Sequence, residues 1–150
     1  MTITRLEGVV KKLFIALSIL SASVEHTEDE WRDLLGRERY NVMRKKATER
    51  AFLGQYVYVD APGTYSCAAC DLPLFRSTDK YNAGNGWPNF KQPIAPKNVY
   101  YKEDLSMGFK RYEVLCRQCD SHLGHVFNDG PAPKHLRYCV NSIALILKPE

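Results

Sequence analysis

Cys67-Ala68-Ala69-Cys70 and Cys116-Arg117-Gln118-Cys119 are two cysteine pairs of equal spacing, with 45 residues between them in the chain. Two intervening residues allow one turn to present both thiols to the same ion, and two such turns complete a tetrahedral cage of four cysteines. The sequence therefore predicts one structural Zn²⁺ per chain, which joins distant segments so that its binding energy contributes to folding. Two disulfides or a redox-active CxxC are the alternatives, although neither pair is set in the βαβ context that the redox motif needs.

The length and composition of the chain fit one globular domain. Hydrophobic residues make up 45% of the 150 residues and charged residues 25%, which excludes disordered and coiled-coil proteins. A net charge of +4 from scattered basic residues is too small to indicate a nucleic-acid-binding protein. No apolar run approaches the ~20 residues that a membrane span needs.

The first 23 residues differ from the rest of the sequence. Basic residues up to Lys12 precede an apolar stretch at 13–20, and small residues follow at 21–23, a pattern that resembles a secretory signal peptide. An N-terminal helix, or a start codon assigned too far upstream, explains the same pattern. We expect a signal peptide or extension at 1–23 and a folded domain at 27–148. Export to the periplasm follows if 1–23 is a signal peptide, and a cytoplasmic location follows otherwise.

The rest of the sequence predicts two helices and then a mostly antiparallel β domain, an α+β fold that is mostly β. The first helix begins at a capping box formed by Thr27 and Glu30 and stops at Gly36. The second helix covers about 38–48. Period-two patterns between Pro- and Gly-rich breaks predict strands at 55–59, 65–67, 99–103, 110–116 and 136–147.

Cys139 is the one cysteine outside the two pairs. In a strand, Arg137, Cys139 and Asn141 share one face, and a neighbouring guanidinium lowers the pKa of a thiol. We therefore interpret Cys139 as a reactive thiol. A buried core cysteine is the more frequent case for this residue type.

Two further segments carry side chains suited to a site around this thiol. His122 and His125 closely follow the second cysteine pair, and imidazoles titrate near neutral pH, so they suit a general acid pair. They could also be metal ligands, but four cysteines already complete a tetrahedron. Trp87 follows flexible glycines and is either core packing or the wall of a pocket for an apolar group, such as a methyl group on sulfur.

Together these segments resemble the methionine-R-sulfoxide reductase B (MsrB) family. The resemblance rests on residues 86–90 (GWPNF), 122–127 (HLGHVF), 129–131 (DGP) and 137–142 (RYCVNS), and on both cysteine pairs. It covers about residues 27–148. It implies the family's β-tent fold of two antiparallel β-sheets with N-terminal helices, and the reduction of methionine-R-sulfoxide in proteins to methionine.

The resemblance also implies roles for the matching residues. Cys139 would be the nucleophile, which becomes a sulfenic acid, and the sulfoxide oxygen would take its proton from the histidines. The implied catalytic set is Cys139, His122, His125, Arg137 and Asn141, the substrate-binding set is Trp87 and Asp129, and the metal ligands are Cys67, Cys70, Cys116 and Cys119. The implied partners are oxidised proteins that carry methionine-R-sulfoxide and a thioredoxin-like dithiol reductant. We expect no nucleic acid, no stable membrane span after processing, and a monomer.

The sequence departs from the family pattern at three places. Asn85 stands where many members carry a resolving cysteine, Asn89 where a serine is usual, and 134–135 (Lys-His) where Thr-Gly is more usual. Because the other cysteines are assigned to the metal, we expect an external dithiol such as thioredoxin to reduce the sulfenic acid directly. The competing function is a ligand- or protein-binding module on the same zinc-joined β fold, without reductase activity.

Overall fold

The helical region begins as its sequence predicts. A computed structural model of the chain describes residue 7 and residues 23–150, so the predicted signal peptide lies almost wholly outside the described residues. Helix α1 covers Glu28–Met43, and in its capping box Thr27 Oγ1 accepts from the Glu30 amide at 3.2 Å while the Glu30 carboxylate accepts from the Thr27 amide at 3.1 Å. Gly36, with φ at +74°, breaks α1 into the two predicted arms, and the second arm ends at Met43 rather than near residue 48.

Nine strands follow the helix and form two antiparallel sheets, which confirms the predicted fold class. The strands are β1 (Gly63–Cys67), β2 (Pro73–Arg76), β3 (Lys80–Tyr81), β4 (Asn89–Phe90), β5 (Val99–Asp104), β6 (Arg111–Cys116), β7 (His122–Phe127), β8 (Arg137–Val140) and β9 (Leu145–Pro149). Short 3-10 helices lie at Ser77–Asp79, Pro96–Asn98 and Ser142–Ala144. The smaller sheet has the order β2-β1-β9, and the larger sheet has the order β3-β4-β8-β7-β6-β5.

Aromatic side chains fill the space between the two sheets. Phe75 of the smaller sheet stacks on Phe90 of the larger sheet with ring centroids 4.4 Å apart, and Tyr65 meets Phe90 edge-on at 5.2 Å. Tyr101 and Tyr138 extend this core and share a hydrogen bond of 2.7 Å between their hydroxyl groups. Because these rings occupy one face of the larger sheet, its other face is left to carry polar side chains.

Helix α1 packs against the turn that contains Cys119. Trp31 is fully buried, and the Arg44 guanidinium lies 4.4 Å from its ring centroid. Arg44 also donates to the Cys119 carbonyl at 2.7 Å and to Ser121 Oγ at 3.2 Å. The helix therefore supports the second cysteine pair from outside. Among the described residues, none of the helices is both long and apolar enough to cross a membrane.

Two predicted strands are wrong in part or in whole. Residues 55–59 form turns, because the Tyr56 amide donates to Ser142 Oγ and the amides of Val57 and Val59 bond back three residues. The predicted strand at 136–147 is divided between the two sheets. The 3-10 helix Ser142–Ala144 divides it into β8 and β9, and the Glu49 carboxylate stabilises that helix by accepting from the Ser142 and Ile143 amides at 2.8 and 2.9 Å.

We predict that Gly124→Ala destabilises the protein by about 2–3 kcal/mol, because a Cβ at this position in β7 would overlap the carbonyl oxygen of Cys139 in the neighbouring strand. Urea unfolding measures the loss. Gly108→Ala is the control: among the described residues no atom lies within 4 Å of a Cβ placed there, and only the positive φ of +81° costs about 1 kcal/mol. Equal stabilities of the two variants would contradict the close approach of β7 and β8.

Candidate functional site

A row of five polar side chains crosses the larger sheet, with Cys139 at its centre. In the strand registers Asn89 of β4 and His125 of β7 lie directly opposite Cys139 of β8. Tyr81 pairs with Asn89 at one end, and Glu113 pairs with His125 at the other. Residues directly opposed in antiparallel strands project from the same face, so the row lies on the face away from the aromatic core.

A β-bulge brings His122 to the same face as His125. Residues three apart in a regular strand point to opposite faces, but Val114 pairs with Gly124 while Leu115 pairs with His122, so Leu123 is an extra residue in β7. The two imidazole rings consequently lie edge to face with centroids 5.4 Å apart. The bulge explains how two histidines with helix-like spacing serve one site on a strand.

Each imidazole is held by a buried or half-buried carboxylate. His122 Nδ1 lies 2.7 Å from Glu113 Oε2, and His125 Nε2 lies 2.6 Å from Asp104 Oδ2. Ionised carboxylates only accept hydrogen bonds, so we assign the ring protons to these two nitrogens. In the neutral form of either ring, the second nitrogen then carries no proton. His122 Nε2 is buried and has no hydrogen-bond partner among the described residues.

The electrostatic environment keeps the carboxylates ionised and His125 neutral. Burial alone would raise the pKa of Glu113, but His122 and Lys46 outweigh it and the pKa is lowered. Hydrogen bonds from Ser106, with a further contribution from His125, lower the pKa of Asp104. Burial lowers the pKa of His125 despite the bond to Asp104. A neutral His125 can accept a proton from a neighbouring thiol.

A pocket of about 130 Å³ opens beside Cys139 on the β7 side. Trp87, Phe127 and His125 line it together with Cys139 and Asn141. The indole of Trp87 is fixed by a hydrogen bond of 3.1 Å from Nε1 to the Glu49 carbonyl. The pocket thus offers an aromatic wall on one side and an imidazole on the other, and its size suits the end of a side chain.

Arg137 belongs to a polar network beside the thiol. Its guanidinium donates twice to the Asp129 carboxylate, at 2.7 and 3.1 Å, and once to Asn89 Oδ1, at 3.2 Å. Asn85 Nδ2 lies 4.0 Å from Cys139 Sγ and 3.3 Å from Asn89 Oδ1. The structure therefore brings Arg137, Asp129 and the two asparagines together around one side of Cys139.

Asn141 acts on the backbone around the site. Its side chain donates to the Leu123 carbonyl and accepts from the Glu49 amide, each at 3.0 Å. It thereby ties the loop before β1 to the bulge in β7.

Sequence reasoning missed Glu49, Glu113 and Asp104. Of these three carboxylates, only Glu113 stands out in the sequence, since it is a charged residue within the otherwise apolar strand pattern at 112–116.

The expected low pKa of the Cys139 thiol is wrong for the protein without a ligand. Burial raises this pKa to about 11, and the nearby Arg137 offsets only part of that effect. The sequence shows the neighbouring guanidinium but cannot show the burial that outweighs it. At neutral pH Cys139 is therefore a protonated thiol that needs a base before it can act as a nucleophile.

The four paired cysteines form a compact cluster that joins the two sheets. Cys67 Sγ lies 3.7 Å from Cys119 Sγ, Cys70 Sγ lies 3.5 Å from Cys116 Sγ, and all four sulfur atoms lie within 4.8 Å of one another. Sulfur ligands at about 2.3 Å from Zn²⁺ stand roughly 3.8 Å apart at the corners of a tetrahedron, so the donor set and its spacing fit a metal ion. All five cysteines are free thiols, and a strand rather than a helix follows each pair.

The two cysteine turns have the same backbone design. Asp71 and Asp120, one residue after each pair, adopt positive φ angles of 71° and 61°. Their amides donate to the carbonyls of Cys67 and Cys116 at 2.8 and 2.9 Å. Each turn thus presents two thiols on the same side, and the repeated geometry supports a single four-thiol site.

Comparisons with known proteins agree with this geometry. The SelR domain model matches residues 35–149. A protein of Azotobacter vinelandii named "Peptide methionine sulfoxide reductase MsrB" is 53% identical over 127 residues, which cover 85% of this chain and 96% of that protein. A protein of the same name from Methanosarcina barkeri is 49% identical over 128 residues, covering 85% of this chain and 90% of that protein. "Peptide methionine sulfoxide reductase B1, chloroplastic" of Oryza sativa is 51% identical over 127 residues, 84% of this chain and 59% of that protein.

We predict that alkylation of Cys139 by iodoacetamide rises with pH to a midpoint near 11, because burial disfavours the thiolate. Mass spectrometry of the Cys139 peptide measures it. In Arg137→Met the midpoint moves higher still, since the neighbouring positive charge is lost. A midpoint at or below that of a free cysteine, about 8.5, would contradict the assignment of a protonated resting thiol.

Proposed function

This chain belongs to the SelR family, and on that basis we propose that it is a peptide methionine sulfoxide reductase that acts on the R epimer. The observation that carries the proposal is the position of Cys139. Its thiol shares one pocket with Trp87 and with His125, which is held by a carboxylate. An oxidoreductase that removes the oxygen of a methyl sulfoxide needs these three things: a thiol nucleophile, a proton carrier for the oxygen, and an apolar surface for the methyl group.

The pocket supports binding of a methyl sulfoxide. The methyl group would pack on the Trp87 and Phe127 rings, and the oxygen would face the imidazole of His125. His122 does not line the pocket; it is buried and packs edge to face against the His125 ring. Cys139 approaches the sulfur from a third direction. Three different surfaces around one tetrahedral sulfur make the site chiral, so it accepts one epimer, which the resemblance to the MsrB family assigns as R.

The reaction begins with transfer of the Cys139 proton to the unprotonated nitrogen of a neutral imidazole, and His125 is available for this because burial lowers its pKa and so keeps the ring neutral. The thiolate attacks the sulfoxide sulfur, and the imidazolium returns the proton to the sulfoxide oxygen. In the resulting adduct the hydroxyl group passes from the substrate sulfur to Cys139 Sγ while the new sulfur–sulfur bond and the original sulfur–oxygen bond break, so methionine leaves and Cys139 is a sulfenic acid. The substrate sulfur is reduced by two electrons and the Cys139 sulfur is oxidised by two.

The surrounding residues position the thiol during this step. Arg137 places a positive charge beside Cys139 and so stabilises the thiolate as it forms. Asp129 holds the guanidinium with two hydrogen bonds, and Asn141 fixes the loop next to the pocket. Glu113 and Asp104 hold the imidazoles in the tautomers that the proton transfer needs.

An external dithiol completes the cycle in this proposal. The residue nearest to Cys139 in the glycine-rich loop is Asn85, which carries no thiol. The other four cysteines are gathered in the cluster that joins the sheets. A thioredoxin-like protein would therefore reduce the sulfenic acid directly, and the substrates are oxidised proteins that carry methionine-R-sulfoxide. We propose that the protein acts as a monomer.

We also propose that the four-cysteine cluster holds one Zn²⁺, with Cys67, Cys70, Cys116 and Cys119 as ligands. Four thiolates around one ion leave no open position, so the ion supplies structural stability and takes no part in catalysis. Its binding energy contributes to folding, because it joins the ends of β1 and β6.

We predict that the protein reduces the R epimer of a methionine sulfoxide peptide with dithiothreitol as the reductant, and leaves the S epimer unchanged. Cys139→Ser lowers kcat/KM at least about 1,000-fold, since a hydroxyl group is a far weaker nucleophile than a thiolate. Chromatography of the two epimers measures both results. Equal reduction of both epimers, or full activity of the folded Cys139→Ser variant, would refute the proposal and leave the binding module as the better function.

We predict a second result for the cluster: the wild type contains about one zinc ion per chain, and Cys119→Ser contains almost none and melts at least roughly 10 °C lower. Elemental analysis and thermal unfolding measure these changes. Cys139→Ser is the matched control, because it removes a thiol outside the cluster and retains both the metal and the stability. Wild-type stability in metal-free Cys119→Ser protein would overturn the structural role.

A further inference from the structure

Two separate openings lie on opposite sides of Cys139 along the row of polar side chains. The first is the pocket lined by Trp87, Phe127 and His125 on the β7 side of Cys139. The second is a cleft of about 480 Å³ on the side of β3 and β4, which we name the Tyr81 cleft. Its lining residues are Tyr81, Ala83, Asn85, Asp129, Pro131 and Arg137. Asn85 and Arg137 stand between this cleft and the thiol, because both also interact with Cys139.

The Tyr81 cleft contains polar groups whose hydrogen-bonding capacity is not fully used by contacts among the described residues. The Tyr81 hydroxyl is buried and has no hydrogen-bond partner among the described residues. The Arg137 side chain is mostly buried at 15% exposure, whereas its partner Asp129 is 60% exposed. An unpaired hydroxyl and a guanidinium together suit a ligand that carries negative charge as it reacts.

The proposed reaction needs two different molecules to reach the same sulfur atom. The sulfoxide occupies the Trp87 pocket, so the oxygen that Cys139 acquires lies on the β7 side, beside the imidazoles. A thiolate that displaces this oxygen must approach the sulfur from the opposite side, in line with the sulfur–oxygen bond. The Tyr81 cleft is the opening on that side.

We propose that the Tyr81 cleft is the entry site for the thiol of an external dithiol reductant, distinct from the pocket for the sulfoxide. This inference rests on the proposed function. The Arg137 guanidinium attracts the incoming thiolate, and the Tyr81 hydroxyl, which is buried in the resting protein, donates a hydrogen bond to it once Asn85 and Arg137 have moved. Because Asn85 and Arg137 are the side chains in between, a small movement of these two admits the reductant without opening the Trp87 pocket.

Reduction of the sulfenic acid replaces its sulfur–oxygen bond with a sulfur–sulfur bond to the reductant. The thiolate of the reductant attacks the sulfur of the Cys139 sulfenic acid, a sulfur–sulfur bond forms, and the sulfur–oxygen bond breaks. The oxygen leaves as water, with the proton that the reductant thiol released when it became a thiolate. The second thiol of the reductant then attacks the mixed disulfide, releases Cys139, and leaves the reductant as a disulfide.

The test fills the cleft without touching the proposed catalytic residues. Ala83 is exposed and lines the cleft, so Ala83→Trp narrows it, and Ala61→Trp, at an exposed position before β1, is the matched control. We predict that Ala83→Trp raises the KM for reduced thioredoxin about tenfold or more. The yield of methionine per chain without any reductant, and the KM for the sulfoxide peptide, stay at wild-type values. A thioredoxin KM equal to that of Ala61→Trp would overturn the cleft assignment.

A second measurement needs no variant of this chain. A thioredoxin whose second active-site cysteine is replaced by serine traps the mixed disulfide with Cys139 after one turnover. We predict protection from hydrogen exchange in this complex at 81–85 and 129–131. Protection confined to 48–52 and 124–127 would overturn the proposal, because the reductant would then enter through the Trp87 pocket. If the wild type yields no methionine without reductant, it is the reductase function itself that fails.

Discussion

Four cysteine thiols meet at one point between the two sheets of this protein, and the geometry of the site depends on that junction. Cys67 ends β1 and Cys70 lies in the turn after it, whereas Cys116 ends β6 and Cys119 lies in the turn before β7. The second turn is also where β7 begins, and its first residue is His122. Helix α1 supports the same turn through Arg44, which donates to the Cys119 carbonyl. A shift of this junction would therefore move the bulge that aligns the two imidazoles.

The electrostatics of the site explain how a thiol can remain inactive until its substrate arrives. Burial raises the pKa of Cys139 to about 11 and lowers the pKa of His125, so each group is neutral at physiological pH. Transfer of a proton between them creates an ion pair, which Arg137 on one side and Asp104 on the other can stabilise. A resting thiol of this kind resists adventitious oxidation, since the thiolate is the form that oxidants attack.

The sequence predicted the parts that follow from local patterns and motif spacing. The strand at 99–103 begins with alternating buried and half-buried residues, the strand at 110–116 is an apolar run that is buried from Tyr112 onward, and the capping box of Thr27 and Glu30 is a local device, so all three were found. Strand β7 was missed because its bulge interrupts the period of two that identifies a strand. The carboxylates of Glu49 and Asp104 contact residues 93 and 21 positions away in the sequence, and no local pattern reveals such contacts. Glu113 is the exception, because it is a charged residue within an apolar strand pattern. The predicted shift of the Cys139 pKa was wrong in direction, because this pKa depends on burial that only the folded chain creates.

The central claim is that Cys139 itself takes the oxygen from the substrate. The most direct measurement is the mass of each cysteine-containing peptide after one turnover with the R epimer and no reductant, with sulfenic acid trapped by dimedone. The adduct is expected on the Cys139 peptide, in the same molar amount as the methionine produced. Methionine produced with an unmodified Cys139 peptide, or with the adduct on Cys67, Cys70, Cys116 or Cys119, would contradict the claim.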